Sequence, residues 1–344
     1  MGSYSALGPA IGTFLGLGVP QDWLQAKASE LVAARMESQG LTTPQDRGAF
    51  QGAFTDGSTI GNRIGIHAAL QQNPGAYVYL PAESQYSVFK TLRDCDSMTN
   101  RWSEAVLDRN YCLTRGREYS LVLFANMGTT FVGTPDDIKK VYYELRKVGI
   151  QISYIHVDGA LDLSFDQGYI ALGPLGTLNC DGVPSAQGIT FESSQGTGAI
   201  WSLAKVIYYS PCETLSSLLA PVDPRVVLET WICQQIYTVA ELKCMFRYWV
   251  TNAERLESNL RRIGVVTKRN PDSIITVFER TPGVGYGRIF PSAGRRLGAF
   301  HYNATHSLLT AYYWATSQDE ARTVSQRACR KGLRHHKENS LWRR

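Results

Sequence analysis

The chain has 344 residues, of which 44% are hydrophobic, so it can bury a substantial core in one large domain or two moderate ones. Its net charge of +5 is concentrated in residues 321–344, which carry +7; the other 320 residues carry −2 and lack the basic excess typical of nucleic-acid-binding proteins. Mean hydropathy is −0.19 and no apolar run approaches the ~20 residues of a membrane-spanning helix, which argues against a membrane protein.

The N-terminal third begins with an apolar arm and continues into a glycine-rich loop. The arm, residues 1–45, has no basic segment ahead of its apolar run, so we predict no secretory signal. FTDGSTIGNRIG, residues 54–65, is typical of a loop that enters a helix. Backbone N–H groups at a helix N-terminus attract anions, and Ser58 and Thr59 add hydroxyl groups. Such a loop is more often an ordinary turn, and this stretch alone leaves both interpretations open.

Residues 119–158 have the clearest pattern in the chain. Two apolar runs, 119–126 and 150–158, predict buried strands, and the amphipathic segment 135–149 predicts a helix between them. Thr134 is the predicted cap of this helix. Strands joined by a helix run parallel. Together with a predicted helix, strand and helix between residues 61 and 93, this alternation indicates a sheet with helices on both faces.

Two stretches lie where such a fold builds its sites, at the carboxyl ends of strands. The loop at 125–137 carries Thr130 toward a helix N-terminus, although on its own it is more often a plain helix cap. Asp158 ends the second strand, and an isolated aspartate there is commonly a satisfied structural residue. The functional alternative is a buried carboxylate that keeps a pyridine nitrogen protonated, with the small Ala160 leaving room for a flat ring.

The C-terminal third has a different pattern. Residues 239–264 predict a long helix, 273–280 a strand and 306–332 a helix, which together favour a small α+β domain. The basic tail has nucleic-acid or acidic-membrane binding as one interpretation, and a solvated terminus as the more common one. The seven scattered cysteines have no CxxC spacing, which favours reduced thiols in the cytoplasm over disulfides or a zinc site. We predict an arm at 1–45, a large domain at 46–240, a small domain at 241–320 and a tail at 321–344.

Several of these stretches together resemble the pyridoxal-phosphate-dependent group II amino-acid decarboxylases, most closely their histidine-decarboxylase-like branch. GSTIGNRIG resembles the loop that holds the cofactor phosphate in that family, and SQYSVFK at 84–90 resembles its His-Tyr-Ser-Val-x-Lys stretch. NMGTTFVGTPDDI and HVDGAL resemble two further signatures in the right order. Weaker similarity continues through 271–282, and several ordered motifs are more specific than any one of them.

The resemblance implies the α/β fold of fold-type I enzymes, which is aspartate-aminotransferase-like: a large domain with a mainly parallel sheet, and a small C-terminal domain. It also implies a homodimer or heterodimer that acts on a small-molecule amino acid, and the scattered thiols favour the cytoplasm as its location. Asp136 would contact residues of the site without contacting the cofactor itself. The residues that the resemblance assigns to pyridoxal 5′-phosphate are Ser58, Thr59 and Thr130 at the phosphate, Asp158 at the pyridine nitrogen, and Ala160 and Gln85 at the ring.

Three positions depart from the family pattern. Gln85 replaces the histidine that stacks on the ring, and an amide stacks less and is no acid or base near neutral pH. Ile60 replaces the loop glutamate. In GITFESSQGTGAI, Gly196 falls where the catalytic lysine belongs, which removes the covalent anchor and a proton donor. Lys205 is a weak substitute for that lysine, since it is better interpreted as a surface residue at the edge of a strand.

The residues therefore leave three functional hypotheses. The first is a divergent pyridoxal-phosphate-dependent carboxy-lyase whose activity is impaired by the missing lysine. The second is a non-catalytic pseudoenzyme that binds an intact decarboxylase or another protein. The third and lesser one is reuse of the fold for other chemistry. The arm and residues 165–230 are also short for the family, through divergence or a faulty gene model, and the strands that close the site are hard to find there.

Overall fold

The computed structural model describes twelve stretches of the chain. They are residues 20–81, 83–94, 102–104, 120–129, 133–161, 163, 170–192, 203–209, 224–262, 264–279, 300–303 and 308–312. Within them, two compact units can be separated: a larger one at 20–129 and 135–242, and a smaller one at 243–312 together with 133–134. Among the described helices, none is long and apolar enough to cross a membrane.

A seven-stranded sheet forms the centre of the larger unit, in the order β1-β7-β6-β5-β4-β2-β3. Six of its strands are parallel, and β7 is antiparallel to both of its neighbours, β1 and β6. The strands are β1 (Phe50–Asp56), β2 (Tyr77–Leu80), β3 (Trp102–Glu104), β4 (Leu121–Asn126), β5 (Ile152–Asp158), β6 (Gly188–Glu192) and β7 (Leu203–Tyr209). The mainly parallel α/β architecture expected from the sequence is therefore confirmed.

Among the described residues, six helices belong to this unit and a seventh leads from it into the smaller one. They are α1 (Gln21–Ser38), α2 (Pro44–Gly48), α3 (Ser58–Gln72), α4 (Tyr86–Asp94), α5 (Ile138–Lys147), α6 (Pro224–Ile236) and α7 (Val239–Arg262). Apolar residues of α1, α5 and α6 join one core cluster against the sheet, and those of α3 and α4 join clusters with the alternate strand residues. Because strand side chains alternate between faces, the sheet is covered on both sides.

The strand–helix–strand pattern at 119–158 appears as β4, α5 and β5, and β4 pairs parallel with β5. The predicted cap is wrong, however. Asp137, rather than Thr134, caps α5 by accepting a hydrogen bond from the Lys140 backbone N–H at 2.9 Å. The helix begins later than expected because the residue ahead of this cap, Asp136, is bound back to the end of β4 through its backbone and its carboxylate. The helix ends at Lys147 and Val148 is its C-cap, ahead of Gly149, whose φ is +81°.

The smaller unit contains a four-stranded antiparallel sheet in the order β10-β11-β9-β8. Its strands are β8 (Thr267–Lys268), β9 (Ile275–Glu279), β10 (Phe300–Asn303) and β11 (Leu308–Tyr312). The helix predicted at 306–332 is wrong over β11, because residues 308–312 pair antiparallel with β9 instead. The rest of that predicted helix, and the basic tail, lie outside the described residues.

Candidate functional site

Three buried polar side chains stand in one row across the larger sheet. Asn126 of β4 is the register partner of Asp158 of β5, and Asp158 is the register partner of Thr190 of β6. All three are buried. Because the three strands are parallel and neighbouring, this row lies near their carboxyl ends, where α/β sheets build ligand sites.

Asp158 is only 8% exposed, and each oxygen of its carboxylate accepts a hydrogen bond. Asn62 Nδ2, on α3, donates to Oδ2 at 2.6 Å. The backbone N–H of Ala160 donates to Oδ1 at 3.1 Å. A buried carboxylate needs such donors to offset its loss of water, and these two fix its orientation.

The start of α3 is suited to bind an anion. Gly57 precedes the helix with φ +82°, a left-handed conformation that favours glycine, and it provides no side-chain cap. The first turn of a helix leaves backbone N–H groups without intrahelical partners, and the helix dipole adds positive potential there. Ser58 is buried in this turn and Thr59 is exposed. The described residues thus place Ser58 and Thr59 together at a helix N-terminus.

Two glycines let α3 lie directly on the sheet. A Cβ at Gly61 would come within 2.7 Å of the Thr190 side chain. A Cβ at Gly65, one turn further on, would come within 2.0 Å of His156 Cε1. This close packing brings Asn62, between the two glycines in sequence, within hydrogen-bond reach of Asp158.

His156 lies beneath the site, fully buried in β5. Its ring stacks on Phe124 with centroids 5.4 Å apart, and its Nε2 is 3.2 Å from Thr190 Oγ1. Its Nδ1 has no hydrogen-bond partner among the residues that the structure describes. Burial lowers the pKa of His156 from 6.5 to about 3, because the cationic ring would lose its hydration in the core.

This burial predicts a dependence of stability on pH. The unfolded chain binds a proton at His156 below pH 6.5, whereas the folded protein does not until about pH 3. The free energy of unfolding should therefore fall by roughly 1.4 kcal/mol per pH unit as the pH drops through this window. Replacing His156 with Asn, which does not titrate, should remove this component. Urea unfolding at pH 7 and pH 5 should show the wild-type protein losing about 2 kcal/mol more than the variant. Equal losses would contradict the assignment.

A second polar network adjoins the row at the end of β4. Asn126 Nδ2 donates to Ser84 Oγ at 3.1 Å and to Asp136 Oδ2 at 2.9 Å. The backbone N–H of Asn126 also donates to Asp136 Oδ2, at 2.6 Å. Burial raises the pKa of the Asp136 carboxyl, the two hydrogen bonds from Asn126 oppose this shift, and the charge of Glu83 adds to it. Asp136 thus fixes the end of β4 and stands behind the row.

Of the other positions that the resemblance assigns to the site, some lie within the described residues and some do not. Gln85 is half-buried just ahead of α4, and its Oε1 accepts a hydrogen bond from Ser87 Oγ. Ala160 is buried in the turn after Asp158. Thr130 and Gly196 lie outside the described residues, so their roles remain predictions.

Lys205 lies in β7, which has a strand on each side and is therefore not at the edge of the sheet. In register it is paired with Phe54 and Phe191, and both belong to the core cluster on the face away from α3. Its proposed role as a substitute lysine also remains a prediction. The two strands β6 and β7 lie in the segment from 165 to 230 where strands were hard to find from the sequence.

Sequence reasoning assigned no role to Asn62 or Asn126. Asn62 falls within the stretch that resembles the phosphate loop, and this was the only available signal for it. Its partner, Asp158, is 96 residues away in the chain, so the contact depends on the fold. Asn126 ends the strand that pairs with β5, and a polar residue at that end could have been chosen on the same grounds as Asp158.

These residues fit pyridoxal phosphate in two respects. The N-terminus of α3 offers backbone N–H groups and hydroxyls for a phosphate. The Asp158 carboxylate, oriented by two donors, offers a counter-charge for a protonated ring nitrogen. In addition, Asn62 Oδ1 is a buried acceptor without a hydrogen-bond partner in the described part of the chain, which marks polar character beside the carboxylate. Among the described residues no group of acidic, histidine and cysteine side chains could hold a metal ion.

Curated relatives point to one class of enzyme, although no protein-family model matches this sequence. A histidine decarboxylase of Acinetobacter baumannii is 25% identical over 293 residues, which cover 78% of this chain and 72% of the relative. Serine decarboxylase 2 of Oryza sativa subsp. japonica is 34% identical over 122 residues, which cover 33% of this chain and 26% of the relative.

Solved structures show the same architecture. The glutamate decarboxylase domain of diaminobutyrate-pyruvate transaminase and L-2,4-diaminobutyrate decarboxylase from Vibrio parahaemolyticus superposes with a TM-score of 0.66. The superposition covers 89% of this chain and 72% of that one at 13% identity, so it establishes the fold alone. The fold-type I architecture expected from the resemblance is thereby confirmed.

Proposed function

Since the chain is a relative of the pyridoxal-phosphate-dependent group II amino-acid decarboxylases and has their fold-type I architecture, we propose that it binds pyridoxal 5′-phosphate. The proposed site lies where α3 begins and where β4, β5 and β6 end. The observation that supports it most strongly is the buried Asp158 carboxylate, held by Asn62 and the Ala160 backbone in the same row as Asn126 and Thr190.

Each part of the site has a role in this proposal. The first turn of α3, with Ser58 and Thr59, binds the phosphate, and Thr130 contributes from the loop after β4. Asp158 holds the ring nitrogen protonated by providing a close negative charge. Ala160 leaves space at one ring face and Gln85 covers the other. When bound, pyridoxal phosphate supplies an electron sink for the charge that develops on an amino acid as CO₂ leaves.

We further propose that carboxy-lyase activity toward an amino acid is impaired. Gly196 stands where the family has the lysine that links the cofactor covalently and returns a proton. Asp158 and α3 together supply binding and charge, yet neither can form a covalent link of that kind. Cofactor binding in this chain is therefore non-covalent, in a cytoplasmic protein that forms a homodimer or a heterodimer.

The second candidate function is a pseudoenzyme that acts through a partner, such as an intact decarboxylase. It is favoured by the replacement of three family positions at once, by Ile60, Gln85 and Gly196. The two candidates differ in whether any amino acid is decarboxylated, which makes them separable by one assay of the purified chain.

The test combines a cofactor titration with a search for a covalent link. Purified protein is titrated with pyridoxal phosphate while its absorbance spectrum is recorded. The protein is then reduced with borohydride, and its intact mass is measured by mass spectrometry. We expect saturable binding without a mass increase after reduction, and slow or undetectable release of CO₂ from amino acids such as histidine and serine.

The outcomes separate the hypotheses. A reducible adduct that maps to Lys205 would show that another lysine has replaced the missing one, and would overturn the proposal of non-covalent binding. CO₂ release that is abolished by Asp158→Ala would favour the impaired enzyme over the pseudoenzyme. Absence of saturable cofactor binding would overturn the proposed function itself.

A further inference from the structure

Asn62 is the side chain in the site whose position is hardest to explain by stability alone. It is completely buried in the second turn of α3. Its Nδ2 donates to Asp158 Oδ2 at 2.6 Å, and its Oδ1 has no hydrogen-bond partner in the described part of the chain. A buried amide that leaves its acceptor unpaired costs the desolvation of that atom, so the donor contact to Asp158 is kept at that cost.

Two glycines allow this amide to lie close to the Asp158 carboxylate. Gly61 and Gly65, on either side of it, have no side chains that would hold α3 away from Thr190 and His156. Without that close packing the amide would not reach the carboxylate. The orientation of the amide follows from chemistry, because only its N–H₂ end can donate to the carboxylate oxygen.

Asn62 connects the two halves of the proposed cofactor site. Ser58 begins α3 at the phosphate end, and Asn62 follows four residues later, about 6 Å along the helix axis. One rigid helix end thus fixes both the anion site and the carboxylate that faces the ring.

We propose that Asn62 is a positioning residue that holds the Asp158 carboxylate in line with the ring nitrogen of pyridoxal phosphate. Asn62 acts through Asp158 and does not itself contact the ring nitrogen. This inference rests on the proposed cofactor binding, and it adds a residue to which neither the family resemblance nor the comparisons assign a role.

The test uses a ligand that lacks the atom in question. Wild-type protein and Asn62→Ala are titrated with pyridoxal phosphate and with its 1-deaza analogue, in which a C–H replaces the ring nitrogen. Loss of one hydrogen bond to a charged group should weaken binding of pyridoxal phosphate about tenfold. Binding of the analogue should change less than about twofold, because it has no ring nitrogen for Asp158 to face.

Two further variants keep the test decisive. Asn62→Leu fills the same space without a donor, and should reproduce the selective loss if the alanine variant is poorly folded. Asn73→Ala is the matched control, since Asn73 is the C-cap at the opposite end of the same helix, where its Nδ2 donates to Ala69 O at 2.9 Å. We expect it to leave the affinity for both ligands unchanged.

Equal weakening of both ligands would show that Asn62 only supports the fold, and no weakening of either would show that it does not position Asp158; both results overturn the inference. If the wild-type protein binds pyridoxal phosphate and Asp158→Asn weakens that binding while Asn62→Ala does not, the inference fails and the proposed function stands. If the wild-type protein binds neither ligand, the proposed function fails together with the inference.

Discussion

Replacing Asp158 with asparagine is expected to weaken the binding of pyridoxal phosphate by roughly 10²- to 10³-fold, the cost of leaving a buried charge without its partner. Asparagine keeps the shape of the side chain, and its Oδ1 can accept the hydrogen bond from the Ala160 N–H. Its Nδ2 can then donate to Asn62 Oδ1 after the Asn62 amide turns over, so both ends of the new side chain are paired. The variant should therefore fold, and its urea midpoint should lie close to that of the wild-type protein. Calorimetric titration with pyridoxal phosphate measures the change in affinity directly.

The control for this variant is Asp22→Asn, which removes an exposed carboxylate from the first turn of α1. It changes the net charge by the same amount and lies on a helix of the opposite sheet face. We expect its affinity for pyridoxal phosphate to equal that of the wild-type protein. An Asp158→Asn variant that also binds with wild-type affinity would remove the central residue from the proposed site.

Replacing Gly65 with alanine should lower the free energy of unfolding by about 3 kcal/mol, because the new methyl group overpacks a closed core. Helix propensity alone predicts the opposite sign, since alanine stabilises a helix interior by about 1 kcal/mol relative to glycine. The added Cβ would lie 2.0 Å from His156 Cε1 and 2.5 Å from its Nδ1, so α3 or the imidazole must move. Urea unfolding measures the loss.

Two comparisons identify the cause of that loss. Gly48→Ala adds a methyl group where no atom lies within 4 Å, and it should leave the free energy of unfolding nearly unchanged. Combining Gly65→Ala with His156→Ala removes the obstructing ring, so the double variant should be more stable than the sum of the two single effects predicts. Strict additivity would contradict a contact between this helix and His156.

Strong local patterns made part of the fold predictable. The strands at 119–126 and 150–158 are apolar throughout and flank an amphipathic helix, and each signal is carried by neighbouring residues. The segment now seen as β11 was wrongly predicted to be helical, because its strand conformation comes from pairing with β9, which no local pattern records. The cap at Thr134 was wrong for a similar reason, since Asp136 is held by β4 across a loop.

The candidate site was predictable only in part. Asp158 could be chosen because it ends a buried strand, and Ser58 because it lies in a glycine-rich loop ahead of a helix. Asn62 and Thr190 could not be chosen in this way, because their contacts with the site form only when α3 lies across the ends of β5 and β6. The close approach that joins them is a property of two glycines, whose role is apparent only once their neighbours are known.

The proposed function separates two features that occur together in the resembled family, cofactor binding and the covalent lysine. An oriented carboxylate and an open helix N-terminus provide what a non-covalent cofactor site needs. A lysine that links covalently to the cofactor would add activity to such a site. In the stretch that resembles the family's lysine segment, the sequence has Gly196 instead. In the proposed function, the chain therefore keeps cofactor binding and loses most of its turnover.

A crystal structure determined from crystals of the chain soaked in pyridoxal 5′-phosphate tests most directly whether the cofactor binds non-covalently at Asp158 and α3. We predict density for one molecule per chain, with its phosphate at the N-terminus of α3, its ring nitrogen within hydrogen-bond distance of Asp158, and no covalent bond to a lysine. Density at any other place, or none at a saturating concentration, would contradict the account.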